Sequence, residues 1–263
     1  MNYNELPVDE IVVSRDKKLG PFEWWRLSIG HGGVNSLPLP EKVIMGARKL
    51  SPKLLRIFIQ EFFYIYPDHD VYNFDRLDEY MDSIAATGAK VVAAICIKPK
   101  CLYPEKDQSI FMPNNVEEWQ KVIYTLVRRY SVEREIVTHW EIGNETDIGE
   151  WGGCPYLIKD PVDYYKYYCM TIKPILEAFP QAKVGGPALA GVTEEFVRIF
   201  AELCYKENTP LDFISWHRYT DNPEDNINDI NKALKGLKCY GDNRPEIMIT
   251  EISKAFDKVS VEE

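Results

Sequence analysis

The sequence predicts an α/β fold in which parallel strands alternate with helices and the sheet closes as a TIM (β/α)8-type barrel. Three observations carry this. Short apolar strands and amphipathic helices alternate from Trp24 to Glu251, giving seven β units. No Gly/Ser-rich linker, low-complexity stretch or internal repeat interrupts them. Two of the strands end in a carboxylate, Glu145 and Glu251, and the C-terminal strand ends are where such barrels hold their chemistry. The expected division is an N-terminal segment over residues 1–20 and a barrel over 21–263. No eighth strand is legible after Glu251, so the barrel is expected to be C-terminally incomplete within this chain. An edge left open there would invite aggregation.

Each element has a local reason. Ile11-Val12-Val13 is β-like and stops at Ser14-Arg15-Asp16, which places one short strand ahead of the main domain. Trp24 to Ile29 is the first barrel strand and leads into Gly30-His31-Gly32-Gly33. Those glycines permit a close backbone approach to a ligand, but their spacing fits neither a dinucleotide fold nor a phosphate loop. His31 is a candidate ligand contact or a structural loop residue. A helix follows over Pro40 to Leu50, with Pro40 near its first turn. Leu54 to Ile59 is a strand with Arg56 embedded in it, and a cation there requires a buried anionic partner. Phe74, Leu77, Tyr80, Met81 and Ile84 recur at helical spacing, with Gly88 as the stop. Lys90 to Ile97 is a continuous apolar strand.

The alternation then repeats. Val116, Trp119, Ile123, Leu126 and Tyr130 form a helical stripe. A strand beginning near Ile136 runs through Trp140 and Glu141 into Gly143-Asn144-Glu145. Asp163 to Phe179 reads as a Tyr-rich helix interrupted near Pro174. Lys183-Val184-Gly185-Gly186-Pro187 reads as a strand that stops in a glycine turn. Thr193 is placed to cap a helix carrying Phe196, Ile199, Phe200 and Leu203. Leu211 to Trp216 is a strand ending in His217-Arg218-Tyr219. Ile227, Ile230, Leu234 and Leu237 give one more helix, and Pro245 to Glu251 the last strand.

Composition narrows the function. The formal net charge is −10 over 263 residues, with no basic run to track phosphates, so nucleic acid and anionic membrane surfaces are not expected as partners. Six cysteines occur without a Cys-x-x-Cys, and Cys96 and Cys101 have no matching His/Cys pair. Free thiols in a reducing compartment are the expected state rather than a zinc site. The first residues carry no basic and apolar leader pattern, and no apolar run approaches the roughly 18 residues of a membrane span. A cytoplasmic protein is expected, with no metal and no cofactor. Oligomeric state is not legible.

A lone Asn144-Glu145 at a strand end would as readily cap a helix or pair with an Arg. The second strand-end carboxylate, Glu251, changes the reading, because a pair of carboxyl groups flanking the scissile bond is the equipment of glycoside hydrolysis. The aromatic content of 13% suits sugar faces but also ordinary cores.

The ordered blocks resemble glycoside hydrolase family 39, within the clan of retaining barrel glycosidases, over roughly residues 10–257. Tyr72-Asn73-Phe74-Asp75-Arg76-Leu77-Asp78 and the strand to Pro99 are similar to its second and third strands. Trp140-Glu141-Ile142-Gly143-Asn144-Glu145 resembles its acid/base block and Val184-Gly185-Gly186-Pro187-Ala188 its fifth strand. Asp212 to Tyr219 resembles strand six, and Ile249-Thr250-Glu251 the nucleophile strand. The resemblance implies that Glu145 is the general acid and then the general base, and that Glu251 is the nucleophile. It implies that Asn144 binds the sugar 2-hydroxyl and that His217 and Tyr219 line the site, with Tyr219 close to Glu251. A nearby anionic Glu251 would help keep Glu145 protonated, and Arg56 could hold Glu251 ionised. The bland alternatives stay open: Asn144 as a turn cap, His217 and Tyr219 as satisfied core groups, and Glu141 as a buried structural carboxylate paired with Arg56 or His139. The chain departs from the family at three places. Phe58 stands where a His is frequent, Thr146 follows Asn-Glu in place of Pro, and Ile252-Ser253 follow Thr-Glu in place of Trp-Asn. A sugar hydrogen bond and an aromatic platform are thereby removed. The family's β-sandwich implies that Ile11-Val12-Val13 is its N-terminal contribution. The expected activity is that of a retaining β-glycosidase with a β-xylosidase-like substrate. The alternative is a catalytically impaired carbohydrate-binding barrel.

Overall fold

The computed structural model describes residues 28–31 and 36–255. The expected N-terminal strand at Ile11-Val12-Val13, Gly32 and Gly33 and most of the strand from Trp24 lie outside them. Seven strands form one sheet: β1 (Ile29–Gly30), β2 (Leu54–Gln60), β3 (Lys90–Cys96), β4 (Val137–Ile142), β5 (Lys183–Leu189), β6 (Phe213–Tyr219) and β7 (Glu246–Ser253). They lie side by side in chain order, and every neighbouring pair is parallel. Six helices cross between them: α1 (Glu41–Leu50), α2 (Asp75–Ala85), α3 (Val116–Val127), α4 (Pro161–Ala178), α5 (Glu194–Lys206) and α6 (Glu224–Gly236). The result is a nearly closed TIM-like barrel without an eighth strand among the described residues. Its two edges approach each other, since a Cβ on Gly30 would sit 3.9 Å from the Thr250 carbonyl oxygen.

The large aromatic side chains sit between strands and helices. Trp119, Trp140, Tyr164, Tyr168 and Phe200 are fully buried there. Three of the six helices, α3, α4 and α5, start on short polar side chains that accept orphan amide N–H groups. Asn115 accepts from Glu118, Asp160 from Val162 and Asp163, and Thr193 from Phe196, as expected of it. Val43, Met45 and Leu50 of α1 are exposed, and β7 is only half-buried.

Two elements differ from the expectation. Helix α4 is not interrupted at Pro174 but runs through it. Proline removes the N–H that would bond the carbonyl of Met170, and Gln120 of α3 supplies the replacement through Nε2 at 3.2 Å. Strand β5 does not stop at its glycines but continues to Leu189. Gly185 and Gly186 are there for close packing: a Cβ would meet the Phe213 ring on the first and the Tyr164 hydroxyl on the second. No helix of the described residues is long and apolar enough to cross a membrane.

The shared register of a parallel sheet brings the C-terminal ends of β2, β4, β6 and β7 to one rim. Gly30 pairs with Arg56, and His217 pairs with Glu251. Six of the seven expected site residues are thereby gathered.

Candidate active site

Glu145 lies just beyond β4, past Gly143 at φ 89°. Its own φ is 46°, a left-handed conformation that is uncommon for a residue with a side chain. Such a conformation costs about 1–3 kcal/mol and survives only where the surroundings impose it. They do: the Glu145 N–H donates to the Ala188 carbonyl at 2.7 Å, and its carbonyl accepts from Ile148 and Gly149 at 3.0 and 2.8 Å. Gly152 closes over the side chain, with no room for a Cβ against the Glu145 carboxyl.

Arg56 is the hub beneath. Its Nε donates to Glu141 Oε2 at 2.6 Å, its Nη1 to Glu251 Oε1 at 2.8 Å and its Nη2 to Asn144 Oδ1 at 2.7 Å. The Arg56 side chain is 5% exposed and that of Glu141 is 0%. The buried cation therefore has the anionic partners its place in an apolar strand requires. Burial pulls the Arg56 pKa down, but Glu141 and Glu251 outweigh this and raise it. Thr250 donates to the other Glu141 oxygen at 2.9 Å, so Glu141 is fully engaged in support. His139 is not its partner: that ring contacts the Thr138 hydroxyl and packs near Phe213. Phe58 lies under the guanidinium at 4.5 Å.

The Tyr219 hydroxyl donates to Glu251 Oε2, so both oxygens of Glu251 accept a hydrogen bond. His217, with no exposed side-chain surface, sits between the two carboxyl groups. Its Nδ1 is 2.7 Å from Glu145 Oε1 and its Nε2 is 3.6 Å from Glu251 Oε1. Burial, aided by Arg56, lowers the His217 pKa to about 4, so the ring is neutral near pH 7. Burial raises the Glu145 pKa, with Arg56 opposing; desolvation, rather than Glu251, is the leading cause. One ligand atom each from Glu145, His217 and Glu251 lie within 4.8 Å of one another. This trio is also the arrangement by which a divalent cation would be held, though a cation there would occupy the two carboxyl groups that sugar chemistry needs.

Arg56, Asn144, Glu145, His217, Tyr219 and Glu251 thus converge. Asn144 is doubly engaged, accepting from Arg56 and donating to the Gly152 carbonyl at 2.7 Å. His31 does not join them. Its half-buried ring stacks on Tyr80 of α2 at 5.8 Å, and its backbone N–H extends the β1–β2 ladder to the Arg56 carbonyl at 2.8 Å. Sequence reasoning missed Thr250, Gly152 and Gln60, whose Nε2 donates to the Gly153 carbonyl at 3.0 Å. The polar residue preceding Glu251 was a signal for Thr250. The sequence marks a Gly- and Trp-rich turn ending at Trp151-Gly152-Gly153, but nothing in it places Gly152 against Glu145 or marks Gln60.

The chain is similar to known proteins of one family. The sequence profile of glycosyl hydrolases family 39 matches residues 53–243, well over half of the chain; Glu145 lies within that range and Glu251 beyond it. A beta-xylosidase of Geobacillus stearothermophilus is 28% identical over 160 residues, covering 57% of this chain and 31% of the relative. A beta-xylosidase of Caldicellulosiruptor saccharolyticus is 26% identical over 160 residues, covering 56% of this chain and 31% of the relative. The chain therefore spans about a third of the length of these relatives. A crystal structure of a monomeric beta-xylosidase from Caulobacter crescentus superposes with a TM-score of 0.72 at 19% identity, over 89% of this chain and 53% of that one. This likeness shows the barrel fold. With the profile match and the converging carboxyl groups together, the chain belongs to glycosyl hydrolases family 39.

Proposed function

We propose that this chain carries the site of a retaining β-glycosidase, with a β-xyloside as its substrate. The observation that supports this reading is the approach of Glu145 and Glu251, whose nearest oxygens lie within 4.8 Å. Retaining enzymes hold their two carboxyl groups about 5–5.5 Å apart, whereas inverting ones leave about 6.5–9.5 Å for a water. The two beta-xylosidase relatives support the choice of sugar.

In the proposed sequence Glu251 attacks the anomeric carbon while the protonated Glu145 gives its proton to the departing oxygen. The glycosidic C–O bond breaks and an ester bond to Glu251 forms. Glu145, now a carboxylate, takes a proton from water as the water attacks the same carbon, and the ester breaks to regenerate both groups. His217 serves the first step. A neutral ring whose Nδ1 carries the hydrogen donates to Glu145 Oε1 at 2.7 Å, which leaves the acid's own proton on Oε2 for the departing oxygen. The opposite tautomer would draw the acid's proton toward Nδ1 and away from the bond to be cleaved. Arg56 and Tyr219 orient Glu251 from both oxygens. Asn144 is the candidate for the sugar 2-hydroxyl.

The test is turnover of a panel of aryl β-glycosides that includes the xyloside. Release of the aryl group with retained configuration is expected. Sugar binding without any turnover would favour the carbohydrate-binding alternative, which shares the pocket. The chemistry as written needs no metal, so a chelator is expected to leave turnover unchanged; loss reversed by one divalent ion would contradict it. Six unpaired cysteines support a cytoplasmic setting.

A further inference from the structure

Trp151 is 93% exposed, whereas Trp119, Trp140 and Trp216 are fully buried. Leaving an indole in water forgoes a large burial gain, and a single exposed apolar residue would by itself need no explanation. Its mounting is what calls for one. Trp151 stands on a 3-10 turn, Gly149–Gly152, that is fixed on several sides. The Gly149 N–H donates to the Glu145 carbonyl at 2.8 Å. The Glu150 N–H donates to Gln108 Oε1 at 3.0 Å. The Gly152 carbonyl accepts from Asn144 Nδ2 at 2.7 Å, and the Gly153 carbonyl from Gln60 Nε2 at 3.0 Å. The backbone is clamped to two residues of the site while the indole projects free.

The position is also specific. Gly152 is pressed against the Glu145 carboxyl, and neighbouring Cα atoms are about 3.8 Å apart, so the backbone that carries the exposed indole stands beside Glu145. The acid must meet the bridging oxygen between the cleaved sugar and its leaving group. The segment that follows Glu145 therefore borders the leaving group, while Glu251 approaches from β7.

We propose that Trp151 is a stacking platform for a sugar ring in the leaving-group position. The apolar C–H face of a pyranose covers the indole and recovers the burial that folding leaves undone. The platform that Ile252 does not provide after the nucleophile is thus supplied from the β4–α4 loop. The proposal rests on the glycosidase reading.

The experiment is calorimetric titration with xylobiose and with xylose, in a Glu251→Gln background that stops turnover. Trp151→Ala is expected to weaken xylobiose about tenfold, Trp151→Phe to restore most of the loss, and xylose, which fills the glycone position, to change less than twofold. Equal loss for both sugars, or no loss for xylobiose, overturns the platform while leaving the glycosidase reading standing. A Glu251→Gln chain that binds neither sugar overturns that reading, and the platform with it.

Discussion

His217 Nδ1 lies 2.7 Å from Glu145 Oε1, and burial pushes the two groups in opposite directions, His217 down to about 4 and Glu145 up. Both shifts favour one arrangement, a neutral ring beside a protonated acid. They also fix the pH dependence of stability. A His whose folded pKa is depressed contributes stability that is present above its ordinary value of 6.5 and is lost as pH falls toward about 4. The thermal midpoint should therefore fall across that window, and His217→Asn should flatten the fall. An unchanged slope in the variant would count against a buried neutral His217.

Glu145 has the reverse sign. A carboxyl whose folded pKa is raised contributes stability below its ordinary value of 4.5 that is lost as pH rises through the folded value. Glu145→Gln should consequently melt higher than the parent at pH 7, by about 1–3 °C, and no higher at pH 3. A lower midpoint at pH 7 would show that the carboxylate is welcomed by the fold, contrary to an acid held protonated.

The Arg56–Glu141 pair is buried on both sides, so breaking it should cost far more than replacing it. Arg56→Met leaves Glu141 and Glu251 without their cation and should destabilise by about 3–5 kcal/mol in denaturant titration. Adding Glu141→Leu should recover most of this. Additive losses in the double variant would mean that the pair is not coupled.

Gly152→Ala should damage the site more than the fold. A Cβ there meets the Glu145 carboxyl, and displacement of a catalytic group by about 1 Å can cost on the order of 10²-fold in rate. Gly191→Ala, with open space around its Cβ, is the control and should leave rate unchanged. Equal rates in all three proteins would show that Glu145 is not held where the mechanism needs it.

Much of the fold is legible in the sequence. Strands announce themselves as apolar runs bounded by polar or glycine residues. Arg56 inside such a run required an anion, and two carboxylates meet it. Thr193 has the side chain to cap, and it caps. What was not legible depended on partners distant in the chain. Pro174 looks like a break until Gln120 is seen to take over the Met170 carbonyl. Gly185 and Gly186 look like a turn until Phe213 and Tyr164 fill the space beside them. His31 reads as either a ligand contact or a structural loop residue, and its ring lies on Tyr80. Trp151 is legible only as part of a Gly- and Trp-rich turn, because its meaning lies in its exposure and in the loop that holds it.

The most direct test of the central claim, that Glu145 is acid/base and Glu251 nucleophile, is the configuration of the product formed with azide. Glu145→Ala should still be glycosylated by substrates with good leaving groups but be slow to release the sugar. Azide should then attack the glycosyl-enzyme and give the glycosyl azide with the substrate's own configuration. Glu251→Ala should be nearly inactive on every substrate, and azide in the vacated space should give the inverted azide. Opposite stereochemistry in the two variants would reverse the roles, and full activity in both would place the chemistry elsewhere.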